Sequence, residues 1–258
     1  MTEALSLLRR WVVDYFNRHD GAACADFIAP DYALHIGDVV FAGRDDQWLP
    51  AVDQQMKAFP GLGMTVHQTV TGEGWAAAWF SEHGMSEGRS AVWSGVAIYC
   101  AAGGVLTGCV AQEDYMTRRR QMKSGVVDPV VPPAPAPWDT PAQPRNSAAE
   151  AVVLEWLSGD WPRGETSVIV DDEHLTQASL HFTVEDCETC EILSSGEDVV
   201  FNVRQRGNYL SGLPEPATGP VPATLDCNGI LRVVDGKIVS GRVIRDRMGL
   251  WGRVRGPQ

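Results

Sequence analysis

A proline-rich stretch from Val127 to Asn146, VDPVVPPAPAPWDTPAQPRN, divides the 258-residue chain into two parts. Each proline fixes φ and removes a backbone donor, so neither a helix nor a central strand runs through it. The expectation is an extended, semi-rigid spacer, with the Trp138 indole packed on a domain surface. At roughly 100–200 residues per domain, the length then fits two small domains. These are residues 1–124 and 147–258, joined by a linker at 125–146.

Before the linker, Leu5, Leu8, Val12 and Tyr15 recur at helical spacing, and Trp11 and Phe16 widen the stripe. A short helix is expected over Ala22–Ile28, stopping at Pro30, then a strand over Tyr32–Asp38 and a helix over Asp46–Phe59. Strand-like runs follow at Met64–Val70, Trp75–His83, Ala91–Cys100 and Val105–Glu113. Helices first and a long antiparallel sheet afterwards make an α+β layout. The sheet is expected to curl around the early helices and leave a pocket.

After the linker the plan partly returns. Ala149, Val152, Val153, Trp156 and Leu157 make a helical stripe, and strands are expected at Ser167–Val170, Phe182–Leu193, Val199–Arg206, Thr224–Val234 and Lys237–Arg245. Asp235-Gly236 reads as a hairpin turn. The segment from Gly104 to Met116, GVLTGCVAQEDYM, aligns without a gap on Gly236 to Met248, GKIVSGRVIRDRM. Internal repetition of this kind points to two copies of one fold. The second copy is shorter between Trp161 and Phe182 and is expected to lack part of the helical lid.

A formal net charge of −12 opposes binding to phosphate backbones, so no nucleic-acid partner is expected. Arg118-Arg119-Arg120 is too short to change that and reads as a solvated face or helix end. The start, Met1-Thr2-Glu3-Ala4-Leu5, lacks a signal peptide's basic and apolar regions, and no apolar run approaches the ~20 residues that span a bilayer. A cytoplasmic protein without membrane contact is expected. The six cysteines are too few for a disulfide scaffold, and Cys187-Glu-Thr-Cys190 lacks the partners of a zinc site. No phosphate loop, nucleophile elbow or metal motif is present, so neither a metal nor a cofactor is expected.

Phe59-Pro60-Gly61-Leu62-Gly63-Met64-Thr65-Val66, then Glu73-Gly74-Trp75-Ala76-Ala77-Ala78-Trp79 and Gly84, resembles the pattern of SnoaL-like polyketide cyclases in the nuclear-transport-factor-2-like superfamily. Ser195 to Phe201 with Gly207, and Asp235 to Val239 ending in Asp246, resemble the same elements in the second copy. The resemblance implies two tandem cones, each a curved antiparallel sheet around N-terminal helices. It also implies cofactor-free acid–base chemistry on a small hydrophobic metabolite such as a polyketide or terpenoid, by a cyclase, isomerase, lyase or hydrolase. Opening of an epoxide, or binding without catalysis, are the alternatives, because fold alone does not give function. Cone-fold proteins pair through their sheets, so an intramolecular pseudo-dimer of the two copies is expected, with a homodimer left open.

Candidate residues follow. Alternation sets Val110, Gln112 and Asp114 on one strand face, and the resemblance makes Asp114 the acid or base. His35 matches the family's histidine. Ile36 stands where the family keeps an aspartate, and Asp38 is a substitute. His83 closes the strand whose face carries Trp75 and Trp79. With Tyr15 and Trp48, those rings and Val110 would grip substrate and exclude water. His67 reads as a surface strand residue. In the second copy, Asp226, Arg242 and Asp246 form either an epoxide-hydrolase-like constellation or cross-strand ion pairs.

Overall fold

The structure, a computed structural model, describes residues 1–158, 167–173, 179–214 and 219–255. The amino-terminal stripe folds as α1 (Glu3–Arg10) and continues through a widened turn over Trp11–Tyr15. The helix expected at Ala22–Ile28 is instead a tight 3-10 turn over Gly21–Asp26, and β1 (Ile28–Ile36) begins earlier than expected. Pro30 is no stop. It falls in a register slip between Ile28 and Ala33, where a missing donor costs no ladder bond.

β2 (Val39–Ala42) pairs back on β1, and α2 (Leu49–Ala58) starts with Pro50 in its first turn, where that residue's fixed φ suits a helix. Next come β3 (Gly63–Gly72), β4 (Trp75–Ser86), β5 (Arg89–Ala102) and β6 (Val105–Glu113). The sheet order is β2-β1-β6-β5-β4-β3, with β1 parallel to β6 and the other pairs antiparallel. Its inner face packs Ala76, Ala78, Phe80, Ala97 and Ala111 against Leu5, Leu8, Val52 and Met56 of the helices. The small alanines let the helices approach the sheet closely. A helix missed by the sequence reading, α3 (Tyr115–Ser124), leaves the end of β6.

The second half repeats the plan in reduced form. α4 (Ser147–Leu157) precedes β7 (Val168–Val170), β8 (His181–Ser195), β9 (Asp198–Ser211), β10 (Val221–Val234) and β11 (Lys237–Arg245). The order is β7-β11-β10-β9-β8, and β7 runs parallel to β11 as β1 does to β6. Asp235 and Gly236 both have positive φ, 49° and 72°, which matches the twist of a two-residue hairpin. α5 (Arg247–Val254) leaves β11 as α3 leaves β6. Trp161 lies outside the described residues.

The two sheets pack back to back. Val70, Trp75, Ala77, Val96 and Ile98 of the first bury Val200, Ile230 and Ile244 of the second. Between them the Asn228 amide donates to the carbonyls of Val96 at 3.1 Å and Val110 at 3.0 Å. The linker has no regular structure at 125–134 and runs along β3, where Ala134 N–H donates to Val66 O at 3.3 Å. It thereby covers an edge strand, and Trp138 packs against the first core. No helix among the described residues is long and apolar enough to cross a membrane.

Candidate active site

Both faces of β4 are covered, one by helices and one by the second sheet, so polarity along the strand does not reveal which face is concave. Ala76, Ala78, Phe80 and Glu82 face the cone, while Trp75 and Ala77 face the second half. Along β6, Cys109 and Ala111 join the cone core, and Glu113 follows in the same alternation.

Glu82 and Glu113 meet inside the cone, both buried, and share a hydrogen bond. Glu82 accepts from the Gln55 amide at 2.9 Å, and Glu113 accepts from the Trp93 indole N–H at 2.8 Å. Burial, then the neighbouring Glu113 charge, push the Glu82 carboxyl well above the ordinary range. Burial raises Glu113 too, but the Trp93 N–H, the Arg118 charge and Tyr115 pull it partly back. The pair therefore holds one proton, mostly on Glu82, with Glu113 the ionised partner. Gly95 makes room for it, since a Cβ there would lie 2.3 Å from Phe80 Cζ and 3.0 Å from Glu113 Cγ.

The pair opens into a cavity of about 380 Å³. Leu34, Ile36, Phe41, Trp11, Trp48 and Val52 give its wall an apolar character. The indole N–H groups of Trp11 and Trp48 are buried and have no hydrogen-bond partner. The outer wall comes from the other half of the chain: Asp246, Met248, Gly249 and Arg253 of the α5 segment. The contact is close. Gly37, at φ 55°, turns the chain between β1 and β2 so tightly against α5 that a Cβ would lie 2.5 Å from Asp246 Oδ2.

Residues 8–108 match the model of the SnoaL-like domain family. That match lies wholly within the first half of the chain. Solved structures similar to it include IdmH of Streptomyces antibioticus, a presumed polyketide cyclase, at 18% identity and TM-score 0.43, over 47% of this chain and 99% of its own. A presumed SnoaL-like polyketide cyclase of Jannaschia sp. CCS1 matches at 11% identity and TM-score 0.44, over 47% of this chain and 92% of its own. AclR of Streptomyces galilaeus, a presumed hydroxylase, matches at 18% identity and TM-score 0.42, over 47% and 96%. No curated protein matches the chain.

The geometry of the first cone rearranges the expected site. Asp114 is buried but does not line the cavity. It caps α3 through the Thr117 N–H at 3.0 Å and pairs with Arg247 at 2.6 Å. Burial raises its carboxyl, yet the Arg247 charge and hydrogen bonds outweigh that and hold it below the usual range, so it is no acid at neutral pH. His35 is exposed, because its neighbours Leu34 and Ile36 take the inward side. His83 faces away from Glu82 and bonds Thr65 Oγ1 at 3.1 Å. Asp38 stands at the cavity rim, held by Arg253 at 2.6 Å and Arg204 at 3.0 Å.

Among the expected binding residues, Trp48 lines the cavity, and Tyr15 is buried behind it with ring centroids 5.3 Å apart. Trp75, Trp79 and Val110 lie instead on the outer face toward the second half. His67 is no surface residue: it is buried, bonding Pro132 O at 2.9 Å and Ser81 Oγ at 2.8 Å.

The second-half constellation does not converge. Asp226 pairs with its cross-strand partner Arg204 at 2.8 Å, Arg242 pairs with Asp172, and Asp246 caps α5 at the rim of the first cone. Nor does the second cone repeat the carboxylate pair. Arg245 precedes Asp246 as Glu113 precedes Asp114. Gln205 opposes Leu225 as Glu82 opposes Trp93, each two residues before the partner of Arg245 or Glu113. Glutamine and arginine thus stand where the first cone has two acids. The signal that could have located the pair was present in Glu82 and Glu113, acids inside otherwise apolar strands.

Proposed function

We propose that the first cone is the catalytic centre of an acid–base enzyme for a small hydrophobic metabolite bearing a carbonyl. The observation that carries this reading is the Glu82–Glu113 pair, two buried carboxyls hydrogen-bonded to each other at the end of an apolar cavity. Perturbed acids in a cleft are candidates for proton transfer. Glu113 takes a proton from carbon next to the carbonyl, breaking the C–H bond. Glu82 gives its proton to the carbonyl oxygen, producing an enol. Returning the protons at other atoms isomerises the substrate, and attack of the enol carbon on a second carbonyl would cyclise it.

Paired carboxylates in both cones would favour tandem epoxide opening, but Gln205 and Arg245 at the equivalent positions favour a single proton-transfer site. The test needs no known substrate. A panel of apolar ketones is incubated in D2O and α-deuteration is followed by NMR. Exchange above buffer, lost in Glu113→Gln and Glu82→Gln, supports the reading. Exchange at the buffer rate throughout, with apolar ketones still bound, would leave a binding protein.

A further inference from the structure

A second cavity, of about 680 Å³, opens where α3 meets residues 212–214 and Arg247 of the second half. It is the counterpart of the first. Tyr115, with Met248 and Gly249 from the other half, lines the first; Arg247, with Met116 and Thr117 from the other half, lines the second. In the gapless alignment these are the same three positions, exchanged. The chemistry is opposite. In place of acids, the described lining carries Arg119, Arg120, Lys123 and Arg247 and no carboxylate, in a chain of formal net charge −12.

Two of these cations are neutralised within the protein, Arg247 by Asp114 and Glu173 and Arg120 by Asp128. Arg119 and Lys123 have no ion-pair partner among the described residues. They sit one turn apart on α3, where like charges repel and an anion between them would relieve the repulsion. Arg119 is braced over the Trp251 ring at 4.6 Å, so its guanidinium is held rather than free. The α3 C-terminus tolerates cations through its dipole, but that does not account for the apolar cavity of Met116, Leu213 and Pro214 beside them.

We propose that the second cone binds an amphipathic anion at its mouth, with an apolar body against Met116, Leu213 and Pro214 and a carboxylate or phosphate group between Arg119 and Lys123. Two fluorescent probes test it on the full chain: 8-anilinonaphthalene-1-sulfonate, and N-phenyl-1-naphthylamine, the same body without the anion. In Arg119→Gln/Lys123→Gln, which removes both contacts, sulfonate affinity should fall at least roughly tenfold, the scale of a single lost charge-assisted contact, while the neutral probe is unaffected. Arg9→Gln/Lys57→Gln removes equal charge from exposed sites elsewhere and should change neither. Competition by inorganic phosphate at lower concentration than acetate would assign a phosphate group, and equal competition a carboxylate. Sulfonate affinity unchanged in Arg119→Gln/Lys123→Gln, or lowered equally by the Arg9/Lys57 control, overturns the proposal.

Discussion

The Arg247 guanidinium donates to the Asp114 carboxylate at 2.6 Å across the join between the two halves. Both side chains are buried, and Asp114 also accepts from Asp172 N–H at 2.8 Å. Removing one partner of such a pair strands the other, at a cost of about 3–5 kcal/mol. Asp114→Asn should therefore melt well below the parent while ketone exchange per folded molecule stays near normal. The folded Asp114 pKa is depressed, so its contribution is present above the ordinary aspartate pKa and lost as pH falls through the folded value. The difference in melting temperature should narrow below pH of about 4. A variant that melts normally but loses exchange would restore Asp114 to the chemistry.

Glu82 gives the opposite pH dependence. Its folded pKa is raised, so the folded state keeps a proton that the unfolded chain has lost. Stability is then full below the ordinary glutamate pKa, about 4.3, and declines as pH rises through the folded value. Glu82→Gln mimics the protonated acid and can still donate to Glu113 and accept from Gln55. It should melt higher than the parent at pH 8 by a few degrees, the scale of about 1 kcal/mol in a chain of this size. The gain should vanish toward pH 4. Melting curves across that range decide it, and a gain independent of pH would mean Glu82 is not protonated in the folded protein.

Strands β3 to β6 of the first sheet were legible in the sequence to within three residues, because apolar runs mark them sharply, whereas the short β2 was not expected. The facing of those strands was not. A one-residue shift in the assumed inward side exchanges every side chain between faces. Trp75 and Trp79 suggested a substrate-gripping wall, yet their bulk fills the joint between sheets, while Ala76 and Ala78 leave space for the helices. The same shift moved attention from Glu113 to Gln112 and Asp114. Asp114 and Asp246 were visible as a repeated pair, but what repeats is a helix cap: each accepts from the backbone three residues on. α3 and α5 were missed because their apolar residues divide between two halves. Met116 packs in the second core, Tyr115 against the first.

That division makes the second half part of the first cone's site. Met248 belongs to α5, beyond the linker and the whole second sheet, yet it lines the carboxylate cavity. It is partly buried, so a larger side chain can turn toward the cavity without overfilling a core. Met248→Trp should narrow an opening into only about 380 Å³. The expected result is a split by substrate size. Small ketones should exchange at the parental rate, since Glu82 and Glu113 are untouched, while bulky polycyclic ketones should show KM raised roughly tenfold, the effect of losing about 1.4 kcal/mol of binding, with kcat little changed. The melting temperature should stay within a few degrees of the parent. Equal loss for small and large ketones would indicate damage to the carboxylate pair itself, and no loss for either would mean that α5 does not wall the route by which substrate enters.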